Sequence, residues 1–166
     1  MVSTEKEKQV YDLLKQMDIP YTPYHHPAVY TVKQAKKHWT DITGTHCKNL
    51  FLRNKKGNHH YLVILEATKT ADLKRLRKKL GEDGLSFASP QRLKRYLQLE
   101  PGAVSPFGLI HDYENQVRVV IDQDLKDAEV VNFHPNINTA TVGLSFSAFE
   151  QFLEWAKNPV RYLKFS

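Results

Sequence analysis

The clearest pattern in the chain lies between positions 48 and 66. Leu50 and Leu52 alternate with Asn49, Phe51 and Arg53, the period of two that marks a strand over 48–53. Lys48 falls on the same face as the two leucines. An ammonium on an apolar face needs either an approaching negative group or a position at the strand's first residue, where its head reaches solvent. Asn54-Lys55-Lys56-Gly57-Asn58 then reads as a hairpin turn. Over 60–66 alternation gives way to the continuous run Leu62-Val63-Ile64-Leu65, which predicts a central strand buried on both faces.

Helical spacing organises the N-terminal part. Thr4 with Glu7 makes a capping box, and Val10, Leu13, Leu14 and Met17 form one apolar stripe. Pro20, Pro23 and Pro27 break up a short extended piece over 21–26. Thr31-Val32-Lys33-Gln34 is a second capping box, opening a short basic helix that closes near Gly44. Further on, Asp72 caps a helix over 73–80 that Gly81 ends. A short strand at 85–87 is followed by Ser89 and Pro90, a favoured start for a helix to about Leu97. A loop at 101–106 leads to a predicted strand over 107–110 and a turn at 112–115. Val117, Val119 and Ile121 mark a strand over 116–122. Strands over 129–133 and 139–144 are joined by His134-Pro135-Asn136-Ile137-Asn138. Ser147 with Glu150 opens a helix over 148–156, and 160–165 reads as a closing edge strand. Helices and strands mix without strict alternation, and there is no repeat or linker. The pattern predicts one α+β domain over 1–166, with a mixed, mostly antiparallel central sheet flanked by helices. No glycine-rich turn follows a predicted strand, which argues against a doubly wound nucleotide fold.

Composition adds little to the fold and more to the partner. The 166 residues suffice for one real core, and 41% hydrophobic with 25% charged residues is ordinary globular usage. No apolar run approaches the roughly 20 residues that span a bilayer. The polar start and the single Cys47 fit a reducing compartment, so a cytoplasmic protein with no membrane partner is expected. The net charge is +6, but it is unevenly spread. Positions 1–100 hold nineteen basic and ten acidic residues, and positions 101–166 hold five and eight. Such asymmetry suggests a polyanion, with nucleic acid the leading candidate, although a solvated basic helix face gives the same count.

Candidate chemistry is sparse. The pairs His25-His26 and His59-His60 point to opposite faces of any strand, and no paired-cysteine or HExxH motif is present, so no metal and no cofactor are expected. His46 is beside Cys47, but neighbouring strand side chains diverge, and an inert half-buried thiol is the better reading. There is no GxSxG elbow. What remains is Lys48 with Asn49, the segment Gly102, Ala103, Val104, Ser105 and Pro106, and the pair Asn132 and His134. A bend with glycine at one end and proline at the other can offer backbone N–H groups to a developing oxyanion, or can be a plain connection. His134 before Pro135 is held extended, as a site residue or a turn histidine.

Taken in order, several motifs resemble one family. They are Gly44-x-His46-x-Lys48-Asn49-Leu50-Phe51-Leu52, then Leu85-Ser86-Phe87-Ala88-Ser89-Pro90, then Gly102-x-x-x-Pro106. Val131-Asn132-Phe133-His134-Pro135 and Asn138-Thr139-Ala140-Thr141 complete the set. It resembles the free-standing relatives of the prolyl-tRNA synthetase editing domain, the ProXp or YbaK-like aminoacyl-tRNA deacylases, from about Val10 to Trp155. The subgroup most similar clears alanine from proline tRNA. The resemblance implies an aminoacyl-tRNA hydrolase acting in trans, needed because a proline pocket also admits the smaller alanine. It implies that the 102–106 bend holds the aminoacyl carbonyl and that Lys48 meets the tRNA end or developing negative charge. Asn49 and His134 would orient substrate and water, with a ribose hydroxyl assisting. Val29, Tyr30, Val32 and Phe51 are candidates for the wall that excludes proline. The tRNA acceptor stem would meet basic residues in three groups. Lys33, Lys36 and Lys37 form the first and Lys55 and Lys56 the second. Lys74, Arg75, Arg77 and Lys78 form the third. The first and third clusters exceed what the family motif requires and could equally dock the synthetase or a ribosome-related RNA. No DNA partner is expected. The alternatives are the same fold acting on cysteine, serine or threonine esters, and a non-catalytic RNA-binding module.

Overall fold

The computed structural model describes residues 5–28, 33 and 42–165. The expected caps at Thr4 and Thr31 fall outside them, as does most of the basic helix, of which Lys33 alone is described, helical and exposed. Helix α1 spans Glu5–Gln16 and turns Val10 and Leu14 inward. Glu7 is buried in that helix, where it accepts a hydrogen bond from the Tyr11 hydroxyl at 3.0 Å and lies 3.2 Å from His25 Nε2. Strand β1 is Thr22–His25, β2 is Thr45–Asn54 and β3 is His60–Glu66.

Helix α2, Leu73–Leu80, is capped as expected: Asp72 accepts from the N–H groups of Lys74 and Arg75, and Gly81 closes it at a φ of 72°. Strand β4 is Leu85–Phe87, and α3 is Pro90–Leu97 with Ser89 as its cap. The expected strand over 107–110 is not one. Pro106–His111 is a 3₁₀ helix, preceded by a shorter one at Pro101–Ala103. Pro106 fixes φ for a helical first position, and the buried Ser105 hydroxyl accepts the Phe107 N–H, so capping chemistry overrides the apolar run. Strands β5, Val117–Asp122, β6, Val130–Phe133, and β7, Ala140–Ser145, follow. Helix α4, Phe146–Ala156, starts before the expected position because Ser145 rather than Ser147 caps it, accepting from Ala148 N–H. Strand β8, Val160–Leu163, closes one edge of the sheet.

The eight strands form one mixed sheet in the order β1-β7-β6-β2-β3-β5-β8, with β4 also paired to β2. Pairs β1–β7, β6–β7, β2–β3 and β2–β4 are antiparallel; β2–β6, β3–β5 and β5–β8 are parallel. The apolar run of β3 is buried from His60 through Leu65, between β2 and β5, as a central strand requires. One face carries the main core, where Phe51, Leu62, Ile64, Val131, Phe133 and Val142 meet α1, α3 and α4. The opposite face has a smaller cluster under α2, in which Leu76 packs with Leu52, Tyr61, Val63 and Leu65.

Candidate active site

The site is organised by a split in the sheet. Along one edge β2 keeps β3 as partner, with Cys47 opposite Glu66 and Arg53 opposite His60. Along its other edge it pairs β6 only at Thr45 and His46, and β4 only from Leu52 onward. Between them, over 47–51, no described strand lies beside β2 on that edge. The cause is in the sequence of β6. After Phe133 comes His134 and then Pro135, which has no N–H to give a ladder, and Asn136 turns the chain at a φ of 63°. Since the Phe51 carbonyl accepts from Ala88 N–H on the β4 side, alternation turns the Asn49 N–H and C=O into the same gap. A crevice beyond the carboxyl end of a parallel strand is where sheets of this kind have room for a ligand.

Register assigns the side chains around the split to faces. His46 is opposite Asn132 in the parallel pair, and Asn132 is opposite Gly143. Lys48, two residues after His46, therefore shares a face with Asn132, Thr141 and Gly143. His134 joins them: its Nδ1–H donates to the Ala140 carbonyl at 2.8 Å, and its ring centroid lies 6.3 Å from that of His26. His26 Nε2 accepts in turn from the Thr141 hydroxyl at 2.8 Å. Lys48 is not at the strand's first residue, since β2 begins at Thr45. It is half-buried, and its ammonium meets no hydrogen-bond acceptor or carboxylate among the described residues.

The polar face is built with care for backbone approach. Asn132 Nδ2 donates to the carbonyls of Thr43 (3.0 Å) and Thr45 (3.3 Å), tying the entry of β2 to β6. A side chain at Gly143 would bring its Cβ to 2.8 Å from Asn132 Oδ1, so only glycine leaves that clamp its space. Gly44 enters β2 at a φ of 108°, and a Cβ there would meet Val130 at 2.7 Å. Burial holds the His134 imidazole below its ordinary pKa; the Ala140 carbonyl opposes this and the nearby His26 adds to it. With Nδ1 protonated by its bond to Ala140, Nε2 of the neutral ring is left as an acceptor.

The expected partners on β2 divide across the sheet. Asn49 and Phe51 lie on the core face, opposite to Lys48. The Asn49 amide oxygen is buried without a hydrogen bond, as are both amide atoms of Asn136 on the far side of the split. Phe51 stacks on His60 (5.7 Å between centroids) and lies 6.3 Å from Tyr96, inside the core. The 102–106 bend lies on the core side of the sheet, where Val104 packs against the main core. Ala103, Ser105 and Pro106 are buried, and Gly102 and Val104 are partly exposed. Phe107, directly after it, packs edge-on to Phe133 at 6.1 Å, which moors the bend beneath the end of β6. The N–H groups of Val104 and Ser105 find no acceptor among the described residues. So the split has an amine and a neutral imidazole on one side, and unpaired amide groups on the other. Such a set can bind a carbonyl and a negative charge and position a water; it contains no strong side-chain base.

Other expected site residues are scattered or undescribed. Val29, Tyr30, Val32, Lys36 and Lys37 lie outside the described residues. Lys55 and Lys56 are exposed in the β2–β3 turn, and Lys74, Arg75 and Lys78 are exposed on α2, with Arg77 half-exposed. The Cys47 thiol faces the core, and burial pushes its pKa far up, which suits an inert thiol. Sequence reasoning considers His26 only as a metal ligand; its place beside Thr141 and His134 depends on the β1–β7 pairing, which no local signal announces.

Comparison with known proteins adds the chemistry. The family model for the aminoacyl-tRNA editing domain matches residues 26–152. The prolyl-tRNA editing protein ProX of Acetoanaerobium sticklandii is 43% identical over 141 residues, covering 85% of this chain and 86% of that protein. The prolyl-tRNA synthetase associated domain-containing protein 1 of Danio rerio is 31% identical over 160 residues, 95% of this chain and 86% of the relative. Among solved structures, a candidate trans-editing enzyme for prolyl-tRNA synthetase superposes with a TM-score of 0.73 at 20% identity, covering 99% of this chain and 100% of that one, which bears on the fold alone.

Proposed function

This chain belongs to the aminoacyl-tRNA editing domain family and is an aminoacyl-tRNA hydrolase, and from that premise we propose that the ester it cleaves joins alanine to proline tRNA. The observation that carries the reading is the split between β2 and β6, with Lys48 and His134 on one face of the sheet and the unpaired Asn49 amide oxygen on the other; the 102–106 bend, moored to the end of β6 through Phe107, is assigned to the second side in this reading. In the hydrolysis, water oxygen bonds to the carbonyl carbon, the bond to the ribose oxygen breaks, and that oxygen takes a proton. The N–H groups of Val104 and Ser105 receive the carbonyl oxygen as it gains charge. The Lys48 ammonium offsets negative charge at the RNA end. Neutral His134 orients the attacking water or the substrate amine through Nε2, and the ribose hydroxyl beside the ester assists the water. No side chain need act as a strong base, which matches the groups present.

Alanine is favoured over proline by size, since a second, smaller sieve corrects what a synthetase pocket admits. The experiment is hydrolysis of proline tRNA charged in turn with alanine, proline, serine and cysteine. Rapid loss of alanine with proline retained is expected. Preferential loss of cysteine or serine would transfer the assignment to another ester of the same class, and loss of none would remove it.

A further inference from the structure

Phe87 is 64% exposed, one of few large apolar side chains that reach solvent among the described residues. Its position is not random with respect to the split. Strand β4 ends there, and Ala88 N–H bonds the Phe51 carbonyl at the lip of the gap. In the antiparallel register Phe87 is opposite Leu52, so it stands on the face that carries Lys48. Leu52 and Lys48 are four positions apart, roughly 13 Å at the rise of an extended strand. On the other side of Phe87, Leu85 and Leu80 join the small cluster that seats α2 on the sheet. The exposed Lys74, Arg75 and Lys78 of that helix make no ion pair among the described residues. A strand of RNA drawn along the basic helix toward Lys48 thus crosses a solvated aromatic ring about one nucleoside short of the amine.

We propose that Phe87 is a stacking platform for the terminal base of the tRNA 3′ end, holding the nucleoside whose ribose carries the ester. This rests on the reading of the split as the deacylation site. The chemistry is general: any base offers a π-face, an aromatic ring exposed beside cations is suited to it, and the span from ring to amine fits one nucleoside with the lysine side chain. Phe87 would be a positioning residue, acting on KM more than on kcat.

The test is a binding cycle with uncharged proline tRNA and the same tRNA lacking its terminal base, against wild type and Phe87→Leu. Leucine keeps apolar bulk and removes the π-face, and at so exposed a site it leaves the fold intact by circular dichroism. Phe87→Leu is expected to weaken binding of the intact tRNA by roughly five- to 100-fold. It should have no further effect on the RNA lacking the base, and Phe87→Trp should bind as wild type does. Equal affinity of Phe87→Leu and wild type for intact tRNA would overturn the proposal, as would the same loss on both RNAs. A change in oligomeric state on substitution would instead assign the ring to a protein contact and also overturn it. Should the cycle hold while the alanyl ester resists cleavage, the substrate assignment fails and the stacking role stands; the converse result separates them the other way.

Discussion

The two faces of the sheet obey different rules around the same strand. On the core face of β2 and β6, Phe51, Val131 and Phe133 are covered by α1, α3 and α4, and aromatic rings pack centroid to centroid at 4.7–6.1 Å around Phe107, Phe133, Phe149 and Phe152. On the other face α2 covers β2, β3 and the β5–β8 side of the sheet, and leaves the β6–β7 side open. Beyond it stand Lys48, Asn132, Thr141 and His134, each polar. Burial on the first face supplies the main core, and past the smaller cluster the second face is left to carry polar groups, of which Lys48 has no partner among the described residues. The split matters because over 47–51 β2 has no described strand beside it on one edge, so side chains of both faces flank the same gap.

Substitutions on either side should therefore fail in opposite ways. Phe107→Ala, on the core face, is expected to lower unfolding free energy by about 3–5 kcal/mol, read by denaturant titration, since it empties the space between Phe133 and Phe152. Lys48→Ala should leave the unfolding midpoint nearly unchanged and slow single-turnover deacylation by about 100-fold or more, the usual scale for losing one preorganised charge-stabilising group. A Lys48→Ala protein with wild-type rate would break the comparison, because the polar face would then be surface and no more.

Parts of both faces that rest on local pattern are legible in the sequence. The run Leu62-Val63-Ile64-Leu65, short and apolar at every position, marks a strand buried on both faces, and Asp72 with Gly81 brackets α2, on the face opposite the main core, through capping chemistry that is local by nature. The polar face is legible only in fragments. Lys48 stands out as a cation in an apolar alternation, and Pro135 as a stop. That Lys48 and His134 share a face, and that Asn49 does not share it, follows from the β2–β6 register, a contact between residues far apart in sequence. The 107–110 segment departs from its expected strand for a different reason: Phe107, Leu109 and Ile110 are apolar enough for one, and the decision lies with the Ser105 hydroxyl and Pro106.

Acid should act first on the core face. His60 is 2% exposed, stacked between Phe51 and Tyr96, and Arg92 Nη1–H donates to its Nε2 at 3.0 Å, which requires a neutral ring. Burial lowers its pKa from 6.5 to about 4, and Arg92, Arg53 and Arg95 add to the shift. Because the folded-state value is the lower one, the unfolded chain binds more protons between about pH 6.5 and pH 4. Stability is thus whole above pH 6.5 and falls through that window, by up to about 3 kcal/mol. His134 shifts in the same direction and adds to the loss. His60→Phe keeps the stack and removes the titration, so the pH dependence of its unfolding midpoint should flatten. An unchanged slope would mean the ring is already charged in the fold.

The smallest effect belongs to α2 and sharpens the comparison within the polar face. Lys74 and Lys78 are exposed, so their attraction for RNA phosphate is screened and non-specific, whereas Lys48 is half-buried at the split. Replacing both helix lysines with alanine should raise KM only a few-fold at low salt, while kcat stays as in wild type. The diagnostic quantity is the slope of log affinity against log salt, which should become shallower by about 1–2, close to one for each phosphate that the variant no longer neutralises. Lys48→Ala should alter kcat far more than that slope. If the helix variant keeps the full salt dependence, RNA does not run along α2, and the exposed lysines of the β2–β3 turn, Lys55 and Lys56, become the next surface to neutralise.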